Sequence, residues 1–361
     1  MSDKANPEFD KGIVIWLLIG CILIFVMVAI GGMTRLTNSG LSMVEWHLFM
    51  GSVPPTSESD WQILFEKYKQ YPEYKHVNFN IDIAEFKQIF YWEYGHRMFG
   101  RLIGLVFILP FLWFLIKRRI SKQLMPKLLI MLFLGGFQGF LGWYMVKSGL
   151  VKDPDVSHYR LAMHLITAFI TFAYILWVAL TLIYPSANKE SLQANLKALK
   201  KPMTLLLCLV FLQIIWGAYV AGLNAGKIYN TWPLMGENMI PEAVTAMKPI
   251  WMNFIEGLAG VQFVHRYLAY IVFGLILYLF FKGKKMHLNN SQRAGLSAML
   301  IAVSIQFVLG VFTLIYSVPI AMGLLHQLGA FVLLGTVVYS LHRFSYSQKT
   351  QAADLSTQNS Q

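Results

Sequence analysis

Residues 92–116 read WEYGHRMFGRLIGLVFILPFLWFLI. The stretch opens on charged and polar side chains and then runs continuously apolar. About 20 such residues, coiled as a helix, cross the hydrocarbon core of a bilayer. The run does not alternate, so it is not a strand of a closed barrel. The stretch belongs to a run at 91–116, and, working outward, seven more runs of this kind occur at 13–32, 126–146, 160–184, 203–223, 260–281, 294–316 and 320–341. The chain is 56% hydrophobic and 13% charged, which excludes an ordinary soluble domain. The expected fold is an all-α integral membrane protein with eight transmembrane helices.

His96 lies near the start of the quoted run, and His164, His265 and His326 lie near the starts of the fourth, sixth and eighth runs. Histidine is costly in lipid and normally faces a bundle interior or a partner. Four at matching depth on alternate helices read as two pairs of axial ligands, because a low-spin heme iron takes an imidazole on each face of its ring. The formal charge of +12 falls on the N-terminus, the tail and the loops that share their side. The positive-inside rule then puts both termini in the cytoplasm and the histidines near the outer leaflet. The basic charge reports topology and attraction to anionic lipid, so nucleic acid is not expected. The N-terminus lacks the look of a transit peptide, and the first run lacks a cleavage site. The expected location is a bacterial inner membrane, crossed many times.

The chain repeats itself. His96-Arg97 matches His265-Arg266, Gln138 to Gly142 matches Gln306 to Gly310, and His164 to Phe169 matches His326 to Phe331. Four helices per half give both halves one orientation, with a symmetry axis along the membrane normal. The expected organisation is two pseudo-symmetric four-helix bundles. An N-terminal bundle covers 1–184, a linker 185–203, a C-terminal bundle 204–344, and a polar disordered tail 345–361. The first outer loop, about 33–90, is long enough to be folded or functional.

Glu93 precedes His96 by one helical turn and shares its face. Beside a ligated heme it could exchange protons; alternatively it pairs with Arg97 in the headgroup layer. The equivalent residue in the second half is Gln262, which cannot titrate, so the reactive site is expected in the first half. Arg97, Arg266 and, less directly, Arg101 are candidates for heme propionates, which guanidinium groups bind bidentately; the alternative is interfacial snorkelling. Gly95, Gly100 and Gly104, with Gly135, Gly136, Gly139 and Gly142, would let a flat ring or a neighbouring helix approach. His47, His76, His287 and His342 read as solvated or interfacial, and Cys21 and Cys208 as small buried hydrophobes. The residues alone describe a diheme membrane protein. A diheme cytochrome b in electron transfer and a heme transporter stand as alternatives.

The segment Gly31 to Trp46, the segment Asn230 to Met235, the four histidines and Glu93 together resemble the heme A synthase family over nearly the whole chain. The resemblance implies oxidation of the C8 methyl of heme O to the formyl of heme A through a hydroxymethyl intermediate. It implies heme b on His265 and His326, and substrate heme O on His96 and His164 with Glu93 as acid/base. Without outer-loop cysteines, the chain resembles the branch shared by proteobacterial and mitochondrial members. Partners consistent with this are heme O and heme A, membrane lipid, heme O synthase, cytochrome oxidase assembly factors and a second copy of the chain.

Overall fold

The computed structural model describes residues 10–44, 53–150, 155–184 and 194–345. Ten α-helices occur among them: α1 (Lys11–Leu36), α2 (Glu58–Tyr68), α3 (Pro72–His76), α4 (Ile83–Ile116), α5 (Met125–Gly149), α6 (His158–Ile183), α7 (Ala194–Gly222), α8 (Leu258–Lys284), α9 (Asn290–Ile315) and α10 (Ile320–Ser345). All except α2 and α3 are long and apolar enough to span a membrane, which makes eight spans. The protein is a multi-pass, all-helical membrane protein.

Helix ends follow local chemistry. The Asp10 carboxylate accepts from the amides of Gly12 and Ile13 and caps α1. It also pairs with Arg119 in the loop after α4, tying two helix ends together. Reciprocal capping boxes, Asp82 with Glu85 and Asn289 with Gln292, begin α4 and α9.

Around the first half, α1 packs on α4 and α6, and α5 packs on α6, while α4 and α5 barely touch. Around the second, α7, α8, α9 and α10 form a closed ring. The halves meet through α1, α6, α7 and α10. At that junction Phe331 of α10 packs on Phe25 of α1 and on Phe169 and Phe172 of α6, with ring centroids 5.4, 5.3 and 3.9 Å away.

Four expectations change. The second span was read as 91–116, but α4 begins at Ile83, because 83–90 packs Phe86 and Phe90 against Trp61, Phe65 and Tyr68 outside the apolar stretch. His96 is therefore about three and a half turns into its helix, deeper from the helix start than the other three. The linker read as 185–203 is shorter, since 194–203 already belongs to α7, and 185–193 lies outside the described residues. Cys208 is exposed on its helix, whereas Cys21 is buried. His342 is fully buried rather than interfacial, with Nε2 3.3 Å from the Thr181 hydroxyl. His47 and the tail beyond Ser345 lie outside the described residues.

Candidate functional site

Each of the four histidines has a glycine opposite it on a neighbouring helix. A Cβ at Gly31 of α1 would lie 3.1 Å from Cε1 of His96, and one at Gly142 of α5 would lie 3.2 Å from Cε1 of His164. In the second half, Gly217 of α7 faces His265 at 3.1 Å, and Gly310 of α9 faces His326 at 2.8 Å. At such distances any side chain would push the imidazole away. The glycines thus set how far each ring stands back from its neighbouring helix.

One turn before three of these glycines sits a glutamine. Gln138, Gln213 and Gln306 donate through Nε2 to the backbone carbonyls of His164, His265 and His326 at 2.9, 3.0 and 2.9 Å. The amides of Gln213 and Gln306 also lie 3.2 and 3.1 Å from the Nδ1 atoms of their histidines. An amide placed there fixes the ring, and turning it over to accept an Nδ1–H would set its oxygen against the same backbone carbonyl. At the fourth site Met27 stands where the glutamine would be.

All four histidines line one interior cavity of about 1680 Å³. Single small-ligand sites run to about 300–1,000 Å³, so this space is large enough for more than one ligand. Among the described residues no three His, Cys, Asp or Glu side chains gather as a metal site. Paired imidazoles therefore suit an iron whose other ligands come from a porphyrin. The ring centroids of His265 and His326 are 6.3 Å apart. A metal bond of about 2 Å on each side, plus ~1 Å from nitrogen to ring centre, requires about 6 Å. Arg266 lines the same cavity with a buried Nη1 that has no hydrogen-bond partner. The second pair thus fits a heme, with an unsatisfied donor where a propionate would be welcome.

The two family-like segments fold over the His-Arg pairs. In the first half, Glu93 is 3% exposed. One of its oxygens pairs with Arg97, and the other accepts from the Ser42 hydroxyl and the Met43 amide, both at 2.8 Å. Arg97 also donates to the Met43 carbonyl at 2.9 Å. The pairing with Arg97 and the place on the cavity wall coexist, since Glu93, Arg97 and Arg101 all line it. Glu45 and Trp46 of the first segment lie outside the described residues. In the second half, Arg266 donates to the carbonyls of Thr231 and Leu234 at 2.8 and 3.0 Å. Gln262 donates to those of Ala225 and Tyr229 at 3.0 and 3.3 Å.

The sequence reading missed several participants. Gly142 was read as allowing a flat ring to approach, but that a glycine faces every one of the four histidines, with a glutamine one turn before three of them, becomes visible only once helices are paired. Glu73 of α3, on a loop of mixed charge, is 5% exposed and also lines the cavity. Burial first, and then the nearby carboxylates of Glu93 and Asp155, push its pKa up to about 8, although the Tyr68 hydroxyl it accepts from at 3.0 Å works the other way.

The model of a family described as cytochrome oxidase assembly protein matches residues 14–338. A heme A synthase of Flavobacterium psychrophilum is 53% identical over 340 residues, 93% of this chain and 99% of that protein. A heme A synthase of Nitrosospira multiformis is 45% identical, covering 95% of this chain and 96% of that protein. One from Wolbachia pipientis is 44% identical, covering 92% of each.

Proposed function

We propose, for a chain that belongs to the heme A synthase family, that its two histidine pairs divide the labour, the first holding substrate and the second a resident heme. The activity is that of the family: the C8 methyl of heme O is oxidised to the formyl of heme A through a hydroxymethyl intermediate. The observation that carries the division is the difference between Glu93 and Gln262 at equivalent places beside one shared cavity.

In this reading His96 and His164 ligate the iron of heme O, and Gly31 and Gly142 let the rings stand back for it. Oxidising a methyl group releases protons, and Glu93 is the carboxylate positioned to receive them. Arg97, Ser42 and Met43 hold that carboxylate in place through both of its oxygens. In the second half His265 and His326 would ligate heme b, with Arg266 toward a propionate. Heme b bound there supplies one-electron transfer. Gln213 and Gln306 keep the two imidazoles oriented, and Gln262 braces its turn without a group that can take up a proton. In this reading both termini lie in the cytoplasm, which the basic loops support, and the membrane is a bacterial inner membrane, which the likeness to bacterial relatives supports.

Purified variants test this division. His265→Ala and His326→Ala are expected to strip low-spin heme b. His96→Ala and His164→Ala are expected to retain it while heme A formation stops. A pyridine hemochrome assay and an HPLC heme profile read both outcomes. Heme b lost equally from all four variants would overturn the division.

A further inference from the structure

The two halves differ most in the seam between the second and third helix of each. In the second half α8 and α9 lie against one another, and aromatic rings fill the seam. Phe307 of α9 packs on Phe273 and Tyr270 of α8, with centroids 5.4 Å away in both cases, and Trp232 approaches from the outer loop. In the first half the equivalent helices, α4 and α5, barely touch. The repeat that aligns His96 with His265 and Gln138 with Gln306 also places Gly104 opposite Phe273 and Gly139 opposite Phe307. A Cβ built at Gly95, Gly104, Gly135, Gly136 or Gly139 would meet nothing within 4 Å.

This seam is an opening rather than a loose contact. Gly104, Gly135, Gly136 and Gly139 line the cavity that contains His96 and His164. Just inside it, His164 Nδ1 and Gln138 Oε1 are buried without hydrogen-bond partners. On the outside, Leu105 and Leu109 of α4 and Phe133 and Phe140 of α5 are exposed, a lipid-facing surface. A groove that leads from lipid to an axial-ligand pair, apolar along its length, suits an alkyl chain attached to a heme. Heme O carries a long isoprenoid tail, and heme b has only a vinyl group in its place.

We propose that the α4–α5 seam seats the isoprenoid tail of the substrate, and that the Phe273–Phe307 plug denies such a tail to the second site. The inference rests on the reading that the first half takes heme O. Tail length then sorts the two hemes, because the plugged seam accommodates only a tail-less ring. Each methylene buried in the seam tightens substrate binding by about fourfold.

The test uses full-length protein in detergent, with heme O and protoheme as probes. Gly139→Phe, alone and with Gly104→Phe, is expected to weaken heme O uptake by about tenfold or more. Protoheme uptake at the first site and the heme b of the second site should persist, which also reports that the variant has folded. Phe307→Gly is the reciprocal variant; co-expressed with a heme O source, it should carry heme O in part where the parent carries only heme b. Full heme O uptake by Gly139→Phe, or an equal loss of both probes, overturns the proposal. His96→Ala separates the two levels. If it leaves heme O uptake intact while Gly139→Phe abolishes it, the ligand reading fails and the seam stands. If the reverse holds, the seam fails and the ligands stand.

Discussion

One turn before the histidine, the first half places a carboxylate held by an arginine, a hydroxyl and an amide; the second places an amide that donates to two carbonyls. Both residues close an outer turn over a His-Arg pair, so the architecture is shared. What differs is polarity: the turn around Glu93 offers donors, and the turn around Gln262 offers acceptors. The same structural job is done by a group that can accept a proton and by one that cannot. A duplicated bundle can thus keep its brace while only one copy acquires proton chemistry.

The largest expected effects come from exchanging these two residues. Glu93→Gln keeps the shape, and Ser42 can still donate to the amide oxygen, but the proton acceptor is gone. Heme A formation should stop, heme O or its hydroxymethyl derivative should accumulate on HPLC, and heme b should remain. Normal heme A yield would reduce Glu93 to a brace like its counterpart. Gln262→Glu should damage the other half for the opposite reason. It sets a buried carboxylate against the carbonyls of Ala225 and Tyr229, and pairing with Arg266 one turn on would draw that guanidinium away from the carbonyls of Thr231 and Leu234. Loss of heme b and a lowered melting temperature are expected, and an unchanged melting temperature would show that the turns are interchangeable.

A smaller difference separates His96 from the other three histidines. Gln138, Gln213 and Gln306 each hold the histidine that faces their helix, whereas Met27 holds nothing polar. A ligand to a resident cofactor gains from a rigid ring, while a ligand to a substrate that must leave as product gains from a looser one. Outer contacts of this kind are worth about 10–100-fold in ligand affinity. Gln213→Met should therefore loosen heme b by an amount of that order, measured as heme loss to apomyoglobin. Met27→Gln should do the reverse in the first half, slowing release of heme A while leaving heme b untouched. Equal heme loss from Gln213→Met and the parent would make the glutamines mere packing residues.

Much of this was legible before any coordinates. Polar residues in apolar runs stand out, so the eight spans, the four histidines, Glu93 with its Gln262 counterpart, and the arginines could all be read directly. Gln138 and Gln306 were visible only as repeat markers, because their partners lie on other helices. The glycines opposite the histidines share that obscurity, since spacing along one helix does not reveal what faces it. The start of α4 was hidden by its own composition. Residues 83–90 mix Glu85 and Lys87 with Phe86 and Phe90, a pattern that hydropathy scores as loop although it packs as helix on the lobe that α2 and α3 build between the first two spans. Glu73 resembled any surface acid until the lobe closed around it.

That acid supplies the smallest expected effect and extends the contrast to the outer lobes. In the second half the lobe is built around Asn253, which is fully buried and satisfied: its Oδ1 accepts from the Met247 amide, and its Nδ2 donates to the carbonyls of Met247 and Ile250. That arrangement carries no proton and should not respond to pH. The first lobe is built around Glu73, whose pKa burial raises from the ordinary carboxylate value of 4.5 to about 8. Between those values the folded lobe keeps a proton that the unfolded chain has released, so the folded state binds more protons and loses stability as pH rises. Below the lower value both forms are protonated, and above the upper one both have lost the proton, so the slope should vanish at either end. Glu73→Gln carries no proton to lose. The melting temperatures of parent and variant should nearly coincide near pH 4.5 and diverge toward pH 8, where the parent should be the less stable. The comparison fails if the variant keeps the parent's slope across that window, which would place the pH response elsewhere in the protein.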